Sequence, residues 1–288
     1  MSGSGHTKNF KLVIEYDGAQ FNGWQIQASG RTVQGEIEKA LSIMTRQHVR
    51  ITGAGRTDAG VHALGQVAAF RCDTRITAEV FFSGLNSLLA DDIVIRSCEA
   101  VADAFHPRFD ATAKTYVYRI LNRPLPSAVG RGYCWHIKKK LDISAIDQAI
   151  RHIVGTHDFK AFENTGSPRS HTVRKVFDAA VIGYSPGAPN AMGTREPRLL
   201  TGCSPVEAHG FDPSQDIITI RITANGFLRY MVRNLVGTLV DVGTSKLNQT
   251  DFAVIMGKKN RSLASATAPP HGLFLVDVHY GPPPKYRR

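Results

Sequence analysis

The residues with the clearest chemical potential lie in one short run, Gly53-Ala54-Gly55-Arg56-Thr57-Asp58-Ala59-Gly60-Val61-His62. It puts a cation, a hydroxyl and a carboxylate on consecutive positions between glycines, and a carboxylate can serve as a nucleophile. Three glycines so close together predict a backbone that bends tightly or takes positive φ, which glycine alone adopts cheaply. Val49 and Ile51 precede the run, and Val67, Ala68, Ala69 and Phe70 follow it, so the pattern reads as strand, polar turn, strand. Arg56, Thr57 and Asp58 are then held at the tip of a rigid scaffold, a common place for functional residues. The same letters also fit a plain Gly-rich hairpin whose aspartate caps its own turn.

Two further runs carry unusual side chains. Arg233 sits within Met231-Val232-Arg233-Asn234-Leu235-Val236, a helical stretch apolar nearly all the way round and therefore expected to be buried. A buried guanidinium needs an anionic partner. Either Arg233 snorkels to water on its long stem, or it pairs with a carboxylate from elsewhere in the chain. Asp58 is the obvious candidate, and such a pair would keep it ionised and fix its direction. In Lys114-Thr115-Tyr116-Val117-Tyr118-Arg119, strand alternation places Tyr116 and Tyr118 on one face. They are half-buried core residues or, in a basic protein, platforms on which a base can stack.

The elements that must position these residues follow from periodicity. Phe10 to Tyr16 reads as a strand ending at the turn signal Asp17-Gly18. Phe21 to Arg31 is loop-like, with Trp24 either a core aromatic or a stacking surface. Thr32 caps a helix with Val33, Ile37, Ala40, Leu41 and Met44 on one face. After the Asp58 hairpin come a helix over 77–89 and a strand over 93–100. The order β, α, β, β, α, β predicts a split βαβ arrangement, an antiparallel sheet with helices on one face.

The second half predicts the same order. A strand over 114–121 precedes a helix capped by Ser144 and closed by Gly155. Paired strands over 173–184 and 217–224 lead to a helix over 227–242, a short helix near 250–256 and a last strand over 273–280. The expected fold class is therefore α+β, with two pseudo-symmetric ferredoxin-like halves whose antiparallel or mixed sheets form a central RNA-binding cleft. Residues 8–110 make the N-terminal subdomain with the Asp58 loop, and 111–281 the C-terminal one. An excursion near 185–216, dense in Pro, Gly, Ser and Asn, interrupts the latter, and 282–288 form a basic tail with Lys285, Arg287 and Arg288.

The chain has 288 residues, 42% hydrophobic and 20% charged, a composition typical of globular proteins. Its 35 Lys and Arg outnumber 24 Asp and Glu, for a net charge of +11, which points to a polyanion such as nucleic acid as partner. No apolar run approaches the length of a membrane span, and the first residues lack the apolar core of a signal peptide. Cys72, Cys98, Cys134 and Cys203 are scattered without a C-x-x-C pair, which argues against a zinc site or a disulfide framework and for a reduced, cytoplasmic setting.

Taken together, Gly55-Arg56-Thr57-Asp58-Ala59-Gly60-Val61-His62-Ala63-Leu64-Gly65-Gln66-Val67, the Tyr116-Val117-Tyr118 strand, Met231-Val232-Arg233-Asn234-Leu235-Val236-Gly237 and His271-Gly272-Leu273 closely resemble the TruA family of tRNA pseudouridine synthases. The resemblance runs in order from about residue 8 to 280. It implies that Asp58 is the catalytic nucleophile and that Arg56 helps to extrude the target nucleotide. It further implies that Tyr116 packs on the uracil and serves in proton removal from C5, that Arg233 pairs with the aspartate, and that Leu273 packs against the pocket. The implied reaction is isomerisation of uridine to pseudouridine at positions 38–40 of the tRNA anticodon stem-loop, by a homodimer without cofactor or metal. Leu228-Arg229-Tyr230 departs from the family's frequent histidine or tyrosine pairs, and Arg229 either adds a phosphate contact or faces solvent. Two other readings are an enzyme of the same fold with another RNA target, and a non-catalytic RNA-binding module; an intact Asp58, Tyr116 and Arg233 set argues against the latter.

Overall fold

The computed structural model describes residues 7–164, 171–182 and 216–284. Most of the excursion at 185–216, Cys203 and the cationic end of the tail lie outside the described residues. In chain order the elements are β1 (Thr7–Tyr16), α1 (Val33–Thr45), β2 (Ile51–Gly53), β3 (His62–Asp73), α2 (Ala78–Leu88), β4 (Ile93–Val101), β5 (Ala113–Asn122) and β6 (Trp135–Ile137). They continue with α3 (Ile143–Ile150), β7 (Gly155–Asp158), β8 (Val173–Ile182), β9 (Ile217–Ala224), α4 (Met231–Gly243), α5 (Gln249–Lys258) and β10 (Leu273–His279). This is a mixed α+β protein. Among the described residues, no helix is long and apolar enough to cross a membrane.

The chain forms two compact units. The first comprises residues 1–116, 223–226 and 269–283; the second comprises 117–222, 227–268 and 284–288. In the first, β1 lies between β4 and β3 and runs antiparallel to both. Its alternation buries Phe10, Leu12, Ile14 and Tyr16. β3 is long enough to serve two partners along its far edge. Its later residues pair antiparallel with β2, Ile51 opposite Phe70, while its first residues pair parallel with β10, His62 opposite Phe274. α2 lowers Phe81 onto the sheet, where its ring meets Phe10 at 4.9 Å and Phe70 at 5.1 Å in edge-on geometry.

In the second unit the strands lie in the order β5-β9-β8-β7, with β6 parallel to β5. α4 is buried at every position except Arg233 and Asp241, as expected for a helix apolar nearly all round. Gly243 lets α4 approach α3 closely, since a Cβ there would stand 2.6 Å from Ile146 Cδ1. Three free thiols, Cys72, Cys98 and Cys134, are described; burial pushes the first up to about 11 and the second up to about 12.

Several local expectations are corrected. The cap of α3 is Asp142, whose Oδ1 accepts from the Ala145 N–H at 2.9 Å; Ser144 already lies inside the helix. Gly155 does not close α3, which ends at Ile150 and tightens into a 3-10 turn over Arg151–Ile153. Gly155 instead opens β7 at φ 114°. The helix expected from Phe227 begins at Met231, because Tyr230 takes left-handed backbone (φ 62°) and breaks the run before it. The short strands β6 and β7 were not expected at all.

Removing the Phe81 ring leaves a cavity between Phe10 and Phe70. Phe81→Ala should cost about 3–5 kcal/mol, read as a lowered denaturant midpoint. A midpoint unchanged from that of the parent protein would mean that α2 does not pack on β1 and β3.

Candidate active site

The first unit builds the Asp58 loop from the inside out. Thr57 is buried, Asp58 is half-buried and Arg56 is exposed, so the three polar residues are sorted by depth. The Thr57 Oγ1 lies 2.8 Å from the Tyr16 hydroxyl at the end of β1. The Thr57 carbonyl accepts from the Trp24 N–H at 3.2 Å, and Trp24 is a core aromatic, 2% exposed. Gln66 Nε2 donates to the Gly55 carbonyl at 2.9 Å. The Val61 N–H donates back to the Asp58 carbonyl at 3.2 Å, and the Gly60 N–H to Phe21 at 3.3 Å. The segment is therefore a clamped loop rather than a tight hairpin, because regular β2–β3 pairing stops at Gly53 and Ala68.

The glycines play a different part from the one their spacing predicts. Of Gly53, Gly55 and Gly60 only Gly60 has positive φ, 75°. Gly53 is required by space instead, since a Cβ there would stand 2.7 Å from the Trp24 indole. Outside the run, Gly23 (φ 91°) faces the loop backbone, and its Cβ would stand 2.6 Å from the Thr57 carbonyl oxygen.

Tyr116 and Leu273 come to the same region of the first unit. Tyr116 is 7% exposed. Burial, then Tyr16 and the Asp58 charge, hold its hydroxyl far above the usual tyrosine range. Tyr16 is pushed up to about 12 by burial, against the opposing hydrogen bonds from Thr57 and Gln66. Tyr16, Thr57, Gln66, Asp58 and Tyr116 thus interact as one cluster with two neutral phenols. Leu273 is buried at the start of β10, just before Phe274, whose ring stacks on His62 at 4.8 Å. The His62 Nδ1 accepts from the Gly18 N–H at 3.0 Å, tying the turn after β1 to the loop. Pro270, just before Leu273, lies against Gly60.

Arg233 belongs to the second unit, in the first turn of α4. It is half-buried; its Nε donates to the Ala268 carbonyl at 2.7 Å, and its guanidinium lies 4.8 Å from the centre of the Tyr230 ring. Tyr118 is fully buried and sits edge-on to Trp135 at 6.4 Å, which makes it a core residue. Arg229 is exposed and lies over Tyr230, so it faces solvent. Sequence reasoning missed Tyr16, Gln66 and Gly23 as parts of the loop's support. A glutamine inside the apolar run Ala63–Phe70 was the available signal, because a buried amide must find partners.

With this geometry in view, the comparison with known sequences is direct. The profile of the tRNA pseudouridine synthase family matches residues 12–110 and 149–281, and the chain belongs to that family. Among its relatives, tRNA pseudouridine synthase A of Thermoanaerobacter sp. is 40% identical over 273 residues, covering 95% of this chain and 100% of that protein. tRNA pseudouridine synthase A 2 of Clostridium tetani is 38% identical over 275 residues, covering 95% and 99%. The synthase A of Ruminiclostridium cellulolyticum is 37% identical over 273 residues, covering 95% and 100%.

The buried phenols make the loop sensitive to alkali. Unfolded, Tyr16 ionises near 10, but folded only near 12, so between these values the unfolded chain binds fewer protons and stability falls as pH rises. Its contribution is intact below pH 10 and is lost progressively as the pH rises toward 12. Tyrosinate absorbance from the buried rings should therefore appear together with loss of the near-ultraviolet circular dichroism. Full titration of all tyrosines near pH 10 with that signal retained would contradict the burial of Tyr16.

Proposed function

We propose that this protein isomerises uridine to pseudouridine in tRNA, at positions 38–40 of the anticodon stem-loop, acting as a homodimer in the cytoplasm with neither cofactor nor metal. The observation that carries the reading is the clamped Thr57–Asp58 loop with buried Tyr116 in its cluster, in a chain that aligns over 95% of its length with a tRNA pseudouridine synthase A. The net charge of +11 fits a polyanionic substrate. With the short β6 and β7 and the helix α5 set aside, element order supports two halves of split βαβ type: β1, α1, β2, β3, α2, β4 in the first and β5, α3, β8, β9, α4, β10 in the second. By its contacts β10 belongs to the first compact unit.

The chemistry is balanced without redox. The N1–C1′ bond breaks, the uracil turns within the site, a C5–C1′ bond forms, C5 loses its proton and N1 gains one. Asp58 is the nucleophile in this scheme, a role carboxylates fill in covalent catalysis. The target base is stacked in a helical stem and must be flipped out; exposed Arg56, two residues from Asp58, is assigned to the displaced backbone. Leu273 supplies an apolar wall and Arg233 the cation that keeps the carboxylate ionised.

Tyr116 takes a restricted role. Its hydroxyl stays protonated in the free protein, so with substrate bound it packs against the base and donates a hydrogen bond. Accepting the C5 proton would require its phenolate, which burial and the Asp58 charge both disfavour.

Asp58→Asn keeps the shape and removes the nucleophile. It should lower pseudouridine formation by at least about 10³-fold, the scale seen when a nucleophile is lost, while tRNA affinity stays within about 3-fold, since phosphate contacts dominate binding. Mapping pseudouridine in tRNA from cells with and without the protein tests the substrate. Loss confined to positions 38–40 supports the reading, loss at other sites assigns another RNA target, and full activity of Asp58→Asn overturns the mechanism.

A further inference from the structure

We infer that Arg261 is a positioning residue for Arg233: it locks the 261–268 strap so that the Ala268 carbonyl aims the Arg233 guanidinium. This rests on the proposed catalytic part of Arg233, and every contact that carries it lies within the second unit.

The strap follows α5 and runs back across the first turns of α4. Four of the five guanidinium N–H groups of Arg261 are engaged. Nη1 donates to the Ala264 carbonyl at 3.0 Å and the Ser265 carbonyl at 3.1 Å; Nη2 donates to Asn234 Oδ1 at 3.0 Å and Thr267 Oγ1 at 3.1 Å. The fifth, on Nε, is buried with no partner among the described residues. A guanidinium that leaves a buried donor idle to reach four acceptors is held by the geometry of its fork. Burial disfavours its charge and lowers its pKa.

Asn234 receives the strap on α4. It is fully buried, its Oδ1 also accepts from Thr267 Oγ1 at 2.6 Å, and its Nδ2 donates to the Phe162 carbonyl at 2.8 Å. Further along, the Ser265 N–H donates to Thr238 Oγ1 at 3.2 Å. The Ala266 carbonyl occupies the space beside Gly237, 1.9 Å from where a Cβ would be. The strap ends in a reciprocal pair with Arg233: the Ala268 N–H donates to its carbonyl at 3.1 Å, and the Ala268 carbonyl takes its Nε at 2.7 Å. With the Tyr230 ring on its face, the guanidinium has both its plane and its direction set. Lysine has three donors on a point charge and no planar fork, so it cannot hold these four acceptors together.

The test uses the full chain and an unmodified tRNA transcript, measuring single-turnover rate at saturating protein, tRNA Kd and Tm. Arg261→Lys should slow the single-turnover rate about 10- to 100-fold, the scale of a misaligned catalytic group, with Kd within about 2-fold because no phosphate contact is lost. Thr267→Val, a milder change that removes the bond to Asn234 and one acceptor of Arg261, should give a smaller loss of the same kind and serves if Arg261→Lys fails to fold. Ile146→Ala, a core cavity on α3, is the control for stability alone. A parental rate in folded Arg261→Lys or Thr267→Val overturns the inference. So does a rate loss no greater than that of Ile146→Ala at equal Tm. Absence of any pseudouridine formation by the parent protein would instead overturn the proposed function.

Discussion

Thr57 is the residue on which the loop depends. A hydroxyl taken from water into an apolar interior costs free energy unless it finds a partner, and the Tyr16 hydroxyl at 2.8 Å is that partner. The bond joins the loop to the end of β1, 41 residues earlier. Once Thr57 points inward, alternation leaves Arg56 facing solvent and Asp58 at the boundary between them. The depth of each polar side chain is thus set by the neighbour that must be satisfied. Gln66 acts likewise, spending its amide on the Gly55 carbonyl so that the loop cannot slide along β3.

The same logic shows what could be read from the letters. Strands with clean alternation, β1 and β5, and helices with a capped apolar stripe, such as α1, declare themselves because the period is repeated over ten residues or more. β6 and β7, of three and four residues, are too short to carry a period and exist only through their sheet partners. The left-handed Tyr230 that delays α4 has no compositional mark. The polar run at 56–58 was visible, but its support was not. Tyr16 and Gly23 belong to other segments, and nothing local to them announces a contact with Thr57. The glycines all read as conformational, yet only Gly60 takes positive φ, and Gly53 proves steric, a distinction that requires knowing where the Trp24 indole lies.

The two units solve one problem in different ways. In the first, a carboxylate is placed by burying its neighbour. In the second, a guanidinium on a buried helix is placed by a strap whose carbonyls it shares with another guanidinium, Arg261. Both devices hold the backbone around a charged residue with hydrogen bonds from buried polar side chains, Thr57 and Gln66 in one case and Arg261 and Asn234 in the other.

Electrostatics then limits the roles open to Tyr116. Burial and the nearby Asp58 charge keep this phenol neutral, and Tyr16 adds to them only once it ionises itself, near pH 12. The coupling is mutual: the cost of placing a phenolate near Asp58 is the same free energy as placing the carboxylate near a phenolate. In the proposed scheme, bond formation by the Asp58 carboxylate consumes its charge and removes one of the two influences holding the phenol protonated. Burial remains, so in the proposed scheme the hydroxyl stays a donor through that step, and the C5 proton passes to another base, such as the carboxylate once it is released.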